Sequence, residues 1–301
     1  MNNKISKINL NHSLLFFLII NLLTFVCFYL QVKNISPIIC LSFILTLGIS
    51  HGALDNYKGK KLFKIFNIDK FIFFYPTYVS IGIAIIVLWL IFPLTTFLVF
   101  LLIASYHFGK EDSCVEQNTK SLVYDFLYLF KGSVIIIAPL LFHNEKTSEI
   151  FQILNLDLGF LSSKFLILMI FLSFIANIII TVQSNNGGFL IADWTNIILL
   201  NVFLSPLIAF TIYFCFLHSV RHSLSLIYEI DSNDFKVGFY KFIRKALPLT
   251  LMTLLLFIIS LYFLAKYYVF DDAILKVIFI GLASLTFPHI LLEYLIEKNE
   301  K

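Results

Sequence analysis

FIFFYPTYVSIGIAIIVLWLIF, residues 71–92, contains no charged side chain. About 20 residues of α-helix cross a hydrocarbon core of about 30 Å. Within lipid each backbone N–H and C=O must be satisfied internally, so this stretch reads as a membrane-spanning helix. Its apolar run is continuous and lacks the alternation of a barrel strand. Outward from it, similar segments recur at about 13–30, 36–55, 94–110, 121–142, 159–182, 189–204, 206–228, 247–269 and 273–296. The predicted fold is all-α: a polytopic transmembrane helical bundle of about ten spans. It is expected to form one integral-membrane domain over residues 1–301.

Bulk composition agrees. The chain is 59% hydrophobic and 13% charged, with a mean hydropathy of +0.92, whereas a soluble domain carries about 25% charged residues. The net charge of +4 comes from lysines in short connections, which points to membrane orientation and away from nucleic acid. The segment Asn56–Lys70 holds Lys58, Lys60, Lys61, Lys64 and Lys70, and the segment Tyr228–Ala246 holds Lys236, Lys241, Arg244 and Lys245, while the joints at Pro93 and Gly187 hold none. Positively charged loops stay inside, so both termini are expected on the cytoplasmic side of a multi-pass membrane protein. Lys4 and Lys7 precede an apolar run, Leu14–Leu30, that is longer than a signal core and lacks a small-residue cleavage site. A retained first helix is expected. Cys27, Cys40, Cys114 and Cys215 form no CxxC pair, and so suggest neither a disulfide framework nor a thiolate metal site.

Five of the seven histidines lie inside apolar segments: His51, His107, His218, His222 and His289. An ionisable residue within a span is a functional candidate. All five fall on even-numbered spans, which run in one direction. Each follows the start of its span by about 12 to 16 residues, or about 18–24 Å at 1.5 Å per residue. The spans thus bring the imidazoles to a common depth. His218 and His222 are four apart, on one helix face. Converging imidazoles suit Fe, Zn or Cu, whereas structural hydrogen bonding between helices is the plainer reading of each histidine alone. His12 and His143 flank spans and are expected in solvent.

Carboxylates follow the histidines with a regular offset. Asp55 lies four after His51, Glu111 four after His107 with Asp112 next to it, and Glu293 four after His289. Metal-bound histidines usually donate their second N–H to a carboxylate, so Asp55 and either Glu111 or Asp112 are candidates for that role. Simple interfacial charge is the alternative. Arg221, between His218 and His222, either pairs with one of these carboxylates or snorkels to the interface. Tyr106 and Trp194 read as cavity lining or as an aromatic belt. Gly52, Gly109 and Gly132 read as close-packing sites between helices.

At these residues the chain resembles a known family. SHGALDN at Ser50–Asn56, SYHFGKED at Ser105–Asp112, LHSVRHS at Leu217–Ser223 and FPHILLE at Phe287–Glu293 are similar, in order, to motifs of the membrane-embedded Brp/Blh family. These are β-carotene 15,15′-dioxygenases that supply retinal to microbial rhodopsins. The resemblance implies a ferrous iron, Fe(2+), on His51, His107, His218 and His222, with His289 in substrate positioning or behind the ligands. It implies O2 and a lipid-borne carotenoid as substrates, all-trans-retinal as product, and Asp112 as the acidic residue of the second motif. Asn56 stands where the family pattern often has a further histidine. The residues alone also admit a different membrane-embedded lipid oxidase, an intramembrane metal or proton transporter, and a carotenoid carrier without activity. Desaturase-type oxidases use about eight histidines for two metals, and this chain has no HH pair.

Overall fold

A computed structural model describes residues 3–29, 35–113, 121–184 and 188–299. It is helical throughout, with no strand among the described residues. The helices are α1 (Asn3–Tyr29), α2 (Pro37–Phe43), α3 (Asp55–Ile65), α4 (Phe74–Ile91), α5 (Pro93–Glu111), α6 (Leu122–Phe142) and α7 (Asn144–Ile153). They continue with α8 (Ser163–Gln183), α9 (Gly188–Phe203), α10 (Pro206–Ile212), α11 (Val220–Ile230), α12 (Phe235–Leu264) and α13 (Phe270–Asn299). Two of the spans are composite. α2 passes through a π-helical turn (Ile44–Gly48) and a 3-10 turn (Ile49–Leu54) into α3, and α10 passes through a π-helical turn (Tyr213–Ser219) into α11.

Local chemistry sets the helix starts. Pro37, Pro93 and Pro206 occupy first-turn positions, where the missing N–H costs nothing. Ser121, Ser162 and Asp234 are N-caps whose side chains accept backbone N–H groups. Eight of the described segments are long and apolar enough to cross a membrane. The other two expected spans are also helices: α9 is apolar but shorter, and α5 carries several polar residues.

Two expected connections are corrected. The segment Asn56–Lys70 is mostly helix α3, because Gly59 and Leu62 face inward, Leu62 packing with Phe74, Leu292 and Ile296, while Lys60 and Lys64 face out. Likewise α12 begins at Phe235 on its Asp234 cap, within a segment expected to be a loop.

α5, α6 and α8 form one closely packed group. At its centre Gly109 and Gly132 let two backbones touch: a Cβ on Gly109 would stand 1.8 Å from the Tyr128 carbonyl oxygen, and one on Gly132 1.9 Å from that of Ser105. Gly52 differs, since a Cβ there would meet only His289 Nδ1 at 3.9 Å and Asp55 Oδ2 at 4.0 Å. α13 packs along α3 and α4 and also reaches α5, so the last helix faces the histidine of the fourth span.

Candidate metal centre

Four histidines meet where α5, α10–α11 and α13 converge. His107, His218, His222 and His289 are all buried. Their rings follow one another in the order His218, His107, His289, His222, with centroid separations of 5.4, 5.4 and 5.9 Å. The common depth expected for them holds for these four. His51 lies on the 3-10 turn before α3, and its side chain is outside the described residues. The π-helical turn places His218 beside Phe108 (4.7 Å between centroids) and parallel to Phe214 (6.0 Å). Such turns insert one residue and often occur at functional sites.

Each of the four imidazoles has a carboxylate at Nδ1. His289 Nδ1 is 2.8 Å from Asp55 Oδ1, His218 Nδ1 is 3.0 Å from Asp112 Oδ1, and His222 Nδ1 is 3.1 Å from Glu111 Oε2. His107 Nδ1 lies 3.5 Å from Glu293 Oε2. The pairing crosses between elements: the carboxylate one turn after a histidine serves a histidine from a different segment. Both Glu111 and Asp112 take part. Two carboxylates are themselves held by tyrosines, Asp55 by the Tyr78 hydroxyl (2.6 Å) and Asp112 by the Tyr213 hydroxyl (2.5 Å).

Lys58 of α3 reaches the same space. Its ammonium pairs with Glu293 and donates to His222 Nε2 at 3.4 Å. Glu293 Oε1 stands 3.8 Å from His222 Nε2 and 3.6 Å from His289 Nε2. The interior of the cluster thus already accommodates a positive charge.

The donor set suits a metal cation. An imidazole whose Nδ1–H donates to a carboxylate carries its lone pair on Nε2, the arrangement found behind metal-bound histidines. One ligand atom each from His107, His289 and Glu293 lie within 4.8 Å of one another. That trio draws in His289 and Glu293, both expected only in supporting roles.

Arg221 is buried and does not snorkel. Its Nη2 donates to Asp193 Oδ2 (2.8 Å) and Ser13 Oγ (2.6 Å), and its Nη1 to the Asp112 carbonyl (3.2 Å). Its ion-pair partner is therefore Asp193 of α9, not a carboxylate of the histidine motifs. A buried guanidinium requires such a partner, and Asp193, a lone acid in an apolar span, was the signal available in the sequence. Lys58, Tyr78 and Tyr213 lie outside the histidine arithmetic and were missed by it. His12 and His143 are half-buried rather than solvated; His12 Nε2 approaches the Phe216 carbonyl oxygen at 2.9 Å. Trp194 donates to Ser173 Oγ and packs on Phe174.

Beside the histidines lies an apolar cavity of about 90 Å³, whose lining includes Phe100, Ala104, Phe108, Phe210, Phe214 and Leu282. α7 contributes Thr147, Ile150 and Phe151. Phe151 touches Phe97, near the start of α5 (5.0 Å between centroids), so α7 lies at the end away from the histidines.

A family model described as beta-carotene 15,15′-dioxygenase matches residues 42–297 of this chain. A curated relative, the beta-carotene 15,15′-dioxygenase of the uncultured marine bacterium 66A03, is 28% identical over 268 residues. The alignment covers 84% of this chain and 90% of that protein. No solved structure matches the chain.

Proposed function

Because the chain belongs to the beta-carotene 15,15′-dioxygenase family, we propose that it cleaves β-carotene, or a closely related carotenoid, at the central 15,15′ double bond. One observation carries this reading: three helical faces that line the apolar cavity each run on into a histidine of the cluster. They are Phe100, Ala104 and then His107; Leu282, Thr286 and then His289; Phe210, Phe214 and then His218. Residues three and four apart share a helix face. A polyene lying in this cavity therefore meets the imidazoles end-on.

The reaction breaks one C=C bond and forms two C=O bonds, with one atom of O2 in each of two all-trans-retinal molecules. No external reductant is needed. A ferrous ion, when bound, would supply the electrons that let ground-state O2 react with a closed-shell polyene. His107, His218 and His222 would hold it, with His51 the fourth family candidate and His289 and Glu293 beside them. The chain's own residues do the rest. Asp55, Glu111 and Asp112 fix ring orientation and tautomer from Nδ1. The phenylalanine-rich cavity binds the polyene and excludes water.

An intramembrane metal or proton transporter would require polar groups continuing along a path, and the space next to the histidines is apolar instead. On this reading it is a multi-pass protein of the bacterial inner membrane with both termini cytoplasmic, which the lysine-bearing segments on one side of the spans support. It takes carotenoid from the bilayer and passes retinal to a microbial rhodopsin.

The test is stoichiometry with purified, anaerobically iron-loaded protein. Two retinals per β-carotene and per O2 consumed are expected. Two unequal apocarotenals would overturn central cleavage, and no product would overturn the activity.

A further inference from the structure

Central cleavage demands two equal arms, one on each side of the reacting bond, and the buried cavity accounts for one. The rest of this inference depends on the cleavage reading above. Straight ahead, past the histidines, the way is ionic: Asp55, Glu111, Asp112, Glu293 and Lys58 lie there, engaged with the rings and one another. An apolar arm entering that layer would strip charged groups of their partners at prohibitive cost.

Sideways, the molecule offers a second space. A cleft of about 430 Å³ faces outward between α4, α5 and α13, lined by residues that include Ile81, Ile103, Phe287 and Ile290. It sits at histidine level, since Ile103 is one turn before His107, and Phe287 and Ile290 flank His289. α5 separates the two spaces: Phe100, Ala104 and Phe108 line the cavity, whereas Leu102, Ile103 and Tyr106 line the cleft. On the other wall Phe287 belongs to the cleft, and its ring lies 6.4 Å from that of Phe100, which belongs to the cavity. The two linings thus adjoin at this pair of aromatic rings. Leu102 and Leu291, at 57% and 42% exposure, open the cleft to the lipid-facing surface.

We propose that this cleft is the binding site for the second arm of the carotenoid, which enters from the bilayer between α5 and α13. The polyene then runs from the cleft, past His107 and His289, into the buried cavity. The position of cleavage is set by both spaces together.

The test compares β-carotene with β-apo-8′-carotenal, which keeps one ringed arm and lacks the second ring. Leu291→Trp and Leu102→Trp fill the cleft from exposed positions outside the histidine cluster. The ratio of kcat/KM for β-carotene to that for β-apo-8′-carotenal should fall about tenfold, equivalent to about 1.4 kcal/mol. Leu255→Trp, exposed on α12 away from the cleft, should leave the ratio unchanged. Because it is a ratio within one protein sample, partial loss of folded enzyme cancels. Quenching of the introduced indole at position 291 by β-carotene reports occupancy independently of turnover. An unchanged ratio in both cleft variants, with no quenching, would overturn the proposal while leaving central cleavage intact. Wild-type protein that cleaves neither compound would instead remove the cleavage reading on which it rests.

Discussion

His289 Nδ1 stands 2.8 Å from Asp55 Oδ1, tying the last helix to the first residue of α3. Tyr78 holds the other carboxylate oxygen at 2.6 Å, so three separate segments converge on one acid. The same device recurs at Asp112, which joins His218 and Tyr213. These carboxylates lock the bundle and orient the imidazoles in one act.

Asp55→Asn should therefore weaken metal binding without dispersing the fold. An amide is a poorer acceptor for the His289 N–H than a carboxylate; His289 stands in the possible ligand trio with His107 and Glu293, and groups behind metal ligands typically account for about 10–100-fold in affinity or activity. Iron per protein, titrated against a buffered iron supply, should shift by at least about tenfold, with turnover falling in parallel. Unchanged metal content and turnover would show that Asp55 is only an interfacial charge.

Gly109→Ala should destabilise the protein, because its methyl would press on the Tyr128 carbonyl oxygen and force α5 from α6. Overpacking of this kind costs about 1–3 kcal/mol. Thermal unfolding in detergent should register a clear fall in midpoint. Gly52→Ala meets only ordinary contacts, and its midpoint should match the wild type.

Removing the Arg221 guanidinium leaves Asp193 as a buried charge without its ion-pair partner. Breaking such a pair costs about 3–5 kcal/mol, whereas replacing both partners with apolar groups is often neutral. Arg221→Met should reduce the yield of folded protein sharply, and Arg221→Met with Asp193→Leu should restore much of it. Equal losses in single and double variants would contradict this pairing.

Ala104→Leu should narrow the cavity one turn before His107, where Ala104 is buried. Carotenoid turnover should fall at least about tenfold, or about 1.4 kcal/mol, while bound iron stays at the wild-type level. Retained turnover would mean that the substrate lies elsewhere.

Much of the bundle was legible because apolar length is a local property. The stretch 71–92 declares itself without reference to any neighbour, and the described helices other than α7 match the expected spans to within a few residues, save at three ends. There α1, α3 and α12 extend into lysine-bearing segments. Charge marks the membrane boundary, and helices run past it when Leu62 or an Asp234 cap gives them reason to. The depth shared by His107, His218, His222 and His289 was also readable, since it follows from counting residues along parallel helices. Which carboxylate faces which imidazole was not. That depends on helix neighbours, and the i, i+4 offset suggested partners on the same helix where the structure pairs different segments. Asp193 illustrates the same limit: a buried acid announces that it needs a cation, but not which one.

The central claim is that these histidines, at the head of an apolar cavity, carry out oxidative cleavage of a carotenoid. The most direct measurement is made in β-carotene-producing cells expressing this chain or its His218→Ala variant at matched membrane levels, with extracts resolved by chromatography. Retinal appearing as β-carotene bleaches, with the intact histidine alone, is the predicted result. Carotene that persists in both, despite iron supply and confirmed membrane expression, would contradict the account.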